Sequence, residues 1–141
     1  IKFVGWVTGD TKTYLLQNAL CCIIPSRGPE AFGLAVLESY AAGRPVVAAR
    51  TAGLSELVLE GRAGYLFEPN SIDSLLSTLR HLLQNPSRLA AMATESRQLA
   101  ASYSWSIIAD RHLELYRSLL NRQPSQGNGP SIVAGEIREK R

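Results

Sequence analysis

The sequence contains only two cysteines, Cys21 and Cys22, and they are adjacent. Neighbouring residues on a strand point to opposite faces of a sheet, so a disulfide between these two would be strained. We therefore expect both thiols to be reduced and to behave as small hydrophobic side chains. Such cysteines are typical of a reducing compartment and predict a cytoplasmic protein.

Charge is also sparse: charged residues make up 19% of the chain and the net charge is +3. The sequence lacks a cluster of Lys and Arg interleaved with aromatic residues, which argues against a nucleic-acid partner. It also lacks an apolar run of the ~18 residues that a membrane span requires. The single methionine is Met92, and the chain begins at Ile1 inside an apparent strand, so we expect a piece of a longer polypeptide.

Several chemical signatures are missing as well. The sequence has no P-loop, no Gly-x-Gly-x-x-Gly and no Asp-x-Asp that would chelate a divalent ion with a diphosphate. His81 and His112 lack partners at the spacing of a catalytic triad or a metal site. We expect His81 to be solvated and His112 to pack on, or at the edge of, the apolar face of its helix. These patterns predict no metal site and no cofactor.

Strand-like and helix-like segments alternate along the chain. Strands are predicted at 1–7, 20–24, 45–49 and 64–67, and helices at 12–19, 33–42 and 54–59. Three further helices begin near residues 72, 86 and 104. This order predicts an α/β fold, with a Rossmann-like parallel sheet, flanking helices and then C-terminal helices. We expect residues 1–121 to form part of one domain and residues 122–141 to be a disordered tail.

Parallel sheets of this kind bind ligands at the carboxyl ends of their strands, so the loops after residues 24 and 49 deserve inspection. The first loop contains Glu30 and leads into a helix that carries Glu38. Free N–H groups of Phe32, Gly33 and Leu34 at the start of that helix would suit a phosphate. The two carboxylates could then accept hydrogen bonds from sugar hydroxyls on either side of a diphosphate. The spacing alone favours the alternative, two surface glutamates in ordinary ion pairs.

The second loop opens with Thr51 and contains Gly53 and Glu56. It follows a buried strand and precedes a helix, so it faces the same crevice as the first loop. Its small residues would let a ligand approach the backbone closely. A helix start with an acidic first turn explains the same residues without a ligand, and on the spacing alone it is the simpler interpretation.

Taken in order, these segments resemble the GT-B glycosyltransferases of family four, the group one transferases. The likeness rests on FVGWV, CCIIPS, EAFGL with Glu38, AAGRPVVAA, Gly53 with Glu56, GRAGYLF, and the closing Tyr103, Trp105 and Tyr116. It covers about residues 1–120. Because the separated motifs occur in the family's order, the combination is specific.

The resemblance implies that this chain is the donor-binding part of a retaining enzyme, which transfers a sugar from a nucleotide-sugar to an acceptor hydroxyl. Glu30 corresponds to the carboxylate that contacts the donor sugar and is the catalytic candidate, and Glu38 corresponds to the one that holds the ribose. The remaining donor-binding candidates are neighbours of the same pocket: Ser26, Phe32, Gly33, Leu34, Thr51 and Gly53.

The sequence departs from the family in three respects. Ala31 stands where the family more often has Gly, and residues 27–29 differ from the usual loop. The basic residues that neutralise the diphosphate, and the acceptor domain, are not in this chain, so we expect the isolated chain to be inactive. The acceptor (glycan, lipid or small molecule) stays open, as does peripheral membrane association through an N-terminal domain. Two alternatives also stay open: a non-catalytic nucleotide-sugar-binding or regulatory domain, and a nucleotide-sugar epimerase of similar fold, which the glutamate spacing disfavours.

Overall fold

The computed structural model describes residues 1–28 and 30–121. In chain order the elements are α1 (Gly9–Asn18), β1 (Cys22–Ile24), α2 (Leu34–Ala41), β2 (Val46–Ala49), α3 (Ala52–Leu57), β3 (Gly64–Phe67), α4 (Ile72–Leu83), α5 (Pro86–Ala101) and α6 (Trp105–Leu120). The strands form one parallel sheet in the order β1-β2-β3. The predicted α/β fold with a parallel sheet and flanking helices is therefore confirmed. The disordered tail predicted at residues 122–141 lies outside the described residues.

The centre of the sheet is buried on both faces. All four residues of β2 are buried, and they alternate between two apolar clusters. On one face Val46 and Ala48 pack with residues of α2 and α3, and on the other Val47 and Ala49 pack with residues of α4 and α5. This two-sided burial explains why β2 reads as a continuous apolar run, which is the usual pattern in parallel sheets.

The strand predicted at residues 1–7 is wrong. The segment forms no ladder with any described strand, and the side chains of Phe3 and Trp6 are both 94% exposed. Alternating β-branched and aromatic residues favour an extended backbone, but a strand exists only where a neighbouring edge supplies hydrogen bonds. The sheet therefore has three strands in the described residues, one fewer than predicted.

Local signals determine the ends of the remaining helices. The Ser71 hydroxyl accepts a hydrogen bond from the Ser74 amide at 3.1 Å and caps α4, and Pro86 opens α5 at its first position. The last helix, α6, has no buried residue, and its Trp105 is 88% exposed. None of the described helices combines the length and the apolar character that crossing a bilayer would require.

The two cysteines behave as predicted. Both are free thiols, and they lie against opposite faces of the sheet, Cys22 toward the α2 cluster and Cys21 toward the α4 cluster. Burial raises the pKa of each thiol above its ordinary value of 9.0. Both side chains are therefore neutral near pH 7 and act as packing groups rather than as nucleophiles.

Candidate functional site

The loop between β1 and α2 places Glu30 beside Ser26. The Ser26 hydroxyl donates a hydrogen bond to Glu30 Oε2 at 2.8 Å, and the pair is partly buried. This contact spans the loop from just after β1 to just before α2, so it restrains the carboxylate. The structure thus brings together two residues that the sequence predicted for the same pocket.

Gly33 forms the turn into α2. It is the N-cap residue and has a φ of +90°, in the left-handed region that glycine tolerates best. A Cβ built on it would also lie 2.9 Å from Leu54 Cδ2, so the turn packs closely against α3. The close neighbour of Gly33 in the structure is therefore the Leu54 side chain of α3.

Gly53 serves the same loop from the other side. A Cβ at this position would lie 2.2 Å from the backbone carbonyl oxygen of Glu30, which no real contact permits. Gly53 lies in the first turn of α3, which begins at Ala52, two residues earlier than predicted. The two loops that the sequence treated separately are thus one packed unit, and it determines the position of Glu30.

Open hydrogen-bonding groups remain on this unit. The amides of Phe32, Gly33 and Leu34 donate to no backbone carbonyl among the described residues. Thr51, the N-cap residue of α3, makes no capping bond, and its buried Oγ1 has no partner in the part of the chain that the structure describes. A buried hydroxyl without a hydrogen-bond partner is costly, so Thr51 is an unsatisfied polar group of this unit, although its Oγ1 is not exposed to a ligand in this conformation.

Glu38 lies in α2, and its side chain is 46% exposed. Its Oε1 accepts a hydrogen bond from the Lys12 ammonium of α1 at 2.7 Å. This pair could hardly be predicted from the sequence, because Lys12 is one of many surface cations and only the tertiary fold brings α1 against α2. A complementary charge at the start of α1 was the available signal, and it is a weak one.

The predicted residues do not all line one cavity. Phe32, Leu34 and Glu38 line a mainly apolar cavity of about 500 Å³ that extends to the aromatic side chains Tyr103 and Trp105. Ser26 lines a different cavity, of about 430 Å³, at the carboxyl ends of the three strands. Glu30, Gly33, Thr51 and Gly53 are among the linings of neither, so these two cavities do not join the predicted residues into one pocket.

Of the two histidines, His81 lies where the sequence predicted and His112 does not. His81 is exposed, as predicted, with its ring edge-on to Tyr65 at 5.1 Å. His112 was expected to pack or to sit at a boundary, but it is exposed. Its Nδ1 lies 2.8 Å from the Ile108 carbonyl, and it borders the apolar cavity. The reason is that α6, which carries it, packs only lightly on the rest of the described chain.

A parallel sheet covered by helices on both faces defines an α/β domain of the Rossmann-like kind. The family comparison specifies it further: residues 1–99 match the family described as glycosyl transferases group 1. The match covers more than half of the chain, and the chain belongs to that family.

Particular relatives support the same assignment. The chain is 41% identical over 135 residues to a D-inositol 3-phosphate glycosyltransferase of Corynebacterium urealyticum. The aligned residues make up 96% of this chain and 31% of the relative. Sucrose-phosphate synthase from Thermosynechococcus elongatus is similar in structure, with a TM-score of 0.75, 28% identity, and coverage of 84% of this chain and 30% of that one. Anabaena HepE in complex with UDP-glucose is similar too, with a TM-score of 0.64, 26% identity, and coverage of 74% and 29%. The chain thus spans less than a third of the length of these proteins.

Proposed function

We propose that this chain is the donor-binding part of a glycosyltransferase, which transfers a sugar from a nucleotide-sugar to an acceptor hydroxyl. The observation that carries the proposal is the packed unit of the two loops, in which Gly53 sets the backbone of Glu30 and Ser26 restrains its carboxylate. Family membership gives this unit its chemical meaning. HepE, a structural neighbour, was solved with UDP-glucose, so we propose a uridine diphosphate sugar as the first donor to test.

Each group has a distinct task in this proposal. The free oxygen of Glu30 accepts a hydrogen bond from a hydroxyl of the donor sugar, and Glu38 accepts one from the ribose. The amides of Phe32, Gly33 and Leu34, which donate to no backbone carbonyl among the described residues, donate to the diphosphate. Negative charge grows on the diphosphate as the bond to the anomeric carbon breaks. Hydrogen-bond donors that already point toward that charge stabilise the transition state more than the ground state.

Three further properties belong to the proposal. We propose retention of anomeric configuration, which rests on the family, and a cytoplasmic location, which rests on the reduced cysteines Cys21 and Cys22. We also propose that transfer needs no divalent metal, since amide donors at the start of α2 and basic residues elsewhere in the full-length protein neutralise the diphosphate. Activity that disappears in a chelator and returns with magnesium or manganese would refute this last point.

The test uses the full-length protein and UDP-glucose. We expect UDP release by slow transfer to water, and Glu30→Gln should reduce it roughly 10- to 150-fold, because a charge-assisted hydrogen bond contributes about 1.5–3 kcal/mol. NMR of the released sugar reports its anomeric configuration before mutarotation. Glu95→Gln is the matched control, because Glu95 is also a partly exposed glutamate and its partner is Arg62, away from both loops.

The outcomes separate the alternatives. Binding of UDP-glucose without any turnover, even with a panel of acceptors, would favour a non-catalytic nucleotide-sugar-binding domain. Equal turnover in Glu30→Gln and Glu95→Gln would show that Glu30 does not contact the donor sugar.

A further inference from the structure

The Lys12–Glu38 contact is a short ion pair between two helices. Lys12 Nζ lies 2.7 Å from Glu38 Oε1, across 26 residues of sequence. The two side chains are 40% and 46% exposed. The pair lies at the predicted ribose carboxylate, and no donor-binding role has so far been assigned to Lys12.

The pair has a counterpart at the other glutamate. Glu30 accepts from Ser26 through Oε2, and Glu38 accepts from Lys12 through Oε1. In both cases the second carboxylate oxygen receives no hydrogen bond from a residue that the structure describes. Each carboxylate is therefore restrained by one oxygen and keeps the other for a further donor.

Apolar packing holds α1 only weakly, since Leu16 is half-buried rather than buried. Helix α1 has no buried residue. Among the described residues, two side-chain hydrogen bonds connect it to later parts of the chain: Lys12 with Glu38 of α2, and the Arg44 guanidinium with the Gln17 carbonyl. The Arg44 contact ties down the end of α1 without touching Glu38. The two basic residues therefore differ in what they restrain. Arg44 restrains only the end of α1, whereas Lys12 also restrains the Glu38 carboxylate.

We propose that Lys12 is a positioning residue for the nucleotide site, which orients Glu38 through Oε1 so that Oε2 can accept a hydroxyl of the ribose. The inference rests on the proposed function. A carboxylate offers about four lone-pair sites, so one ammonium group leaves room for a hydroxyl. Restraint before binding reduces the ordering that the ligand must impose on the carboxylate.

The experiment compares ribose with dideoxyribose in the full-length protein. Calorimetry with UDP, ADP and GDP, each beside its 2′,3′-dideoxy counterpart, measures how strongly the ribose hydroxyls contribute. In Lys12→Met this affinity ratio should fall about two- to fivefold, the range expected for an exposed ion pair. Lys12→Arg should restore it. A general loss of positive charge weakens both nucleotides alike, so it cancels in the ratio.

Arg44→Met is the matched control, since it removes the other contact of α1 but leaves Glu38 untouched. Its ratio should equal that of the wild type even if its melting temperature falls. An unchanged ratio in Lys12→Met would overturn the positioning role of Lys12 but not the proposed function. Tighter binding of the ribose nucleotides by Lys12→Met would also overturn it, because Lys12 would then compete with the ribose. A wild type that binds nucleotides without preferring ribose, or binds none, would refute the proposed function at Glu38 and this inference with it.

Discussion

Replacing Gly53 with Ala should displace the loop that carries Glu30. The added Cβ would lie 2.2 Å from the Glu30 carbonyl oxygen, whereas ordinary contacts between carbon and oxygen begin near ~3.3 Å. One backbone must therefore retreat by about 1 Å. The Glu30 carbonyl and Gly53 both belong to the backbone, so a change of side-chain rotamer cannot relieve the overlap.

Two opposing effects decide the magnitude. Ala is favoured over Gly inside a helix by about 0.8–1 kcal/mol, so without the overlap the substitution would stabilise α3. Overpacking costs about 1–3 kcal/mol. We expect the overlap to prevail and the net destabilisation to reach up to about 2 kcal/mol, with a larger effect on donor turnover, since misplacement of a reacting group by 1 Å can cost about 100-fold.

Thermal unfolding and UDP release from UDP-glucose would be measured on the same preparations. Gly28→Ala is the matched control, because Gly28 lies in the same loop and its Cβ would meet no atom within 4 Å. We expect it to be neutral or slightly stabilising. A Gly53→Ala protein that is as stable and as active as the wild type would refute the packed unit of the two loops.

Three other predictions test separate parts of the structure. Ser96 is fully buried, and its hydroxyl has no partner among the described residues, so Ser96→Ala should raise the unfolding free energy by about 1 kcal/mol in thermal or urea unfolding. Burial raises the pKa of Tyr40 from 10.0 to about 12, so its contribution to stability is present below pH 10 and is lost as the pH rises toward 12. Tyr40→Phe should therefore lose less stability than the wild type over that interval, and parallel unfolding curves would contradict the assignment. Glu38→Ala should weaken UDP and UDP-glucose alike, roughly 10- to 150-fold in calorimetry, whereas Glu30→Ala should weaken mainly UDP-glucose. Near-native affinities in both variants would refute both roles.

The elements that the sequence predicted well are those whose pattern is local. β2 is apolar throughout because it is buried on both faces, and α4 begins at Ile72 because the preceding Ser71 caps it. Residues 1–7 have an equally good strand pattern, yet they are not a strand, since pairing depends on an edge that the pattern does not describe. The Lys12–Glu38 pair was beyond prediction for the same reason, because it depends on how α1 lies against α2.

Gly33 and Gly53 show where the prediction from the sequence motifs and the structure differ. Small residues at Gly33 and Gly53 predicted close approach by a ligand, but the atoms that approach most closely belong to Leu54 and Glu30. The backbone of Glu30 is therefore positioned by packing against α3, and its carboxylate by Ser26. It follows that the chemistry proposed for Glu30 depends on residues that need never touch the donor. A substitution that leaves every proposed ligand contact chemically intact, such as Gly53→Ala, should still impair transfer, because it moves the carboxylate rather than removing it.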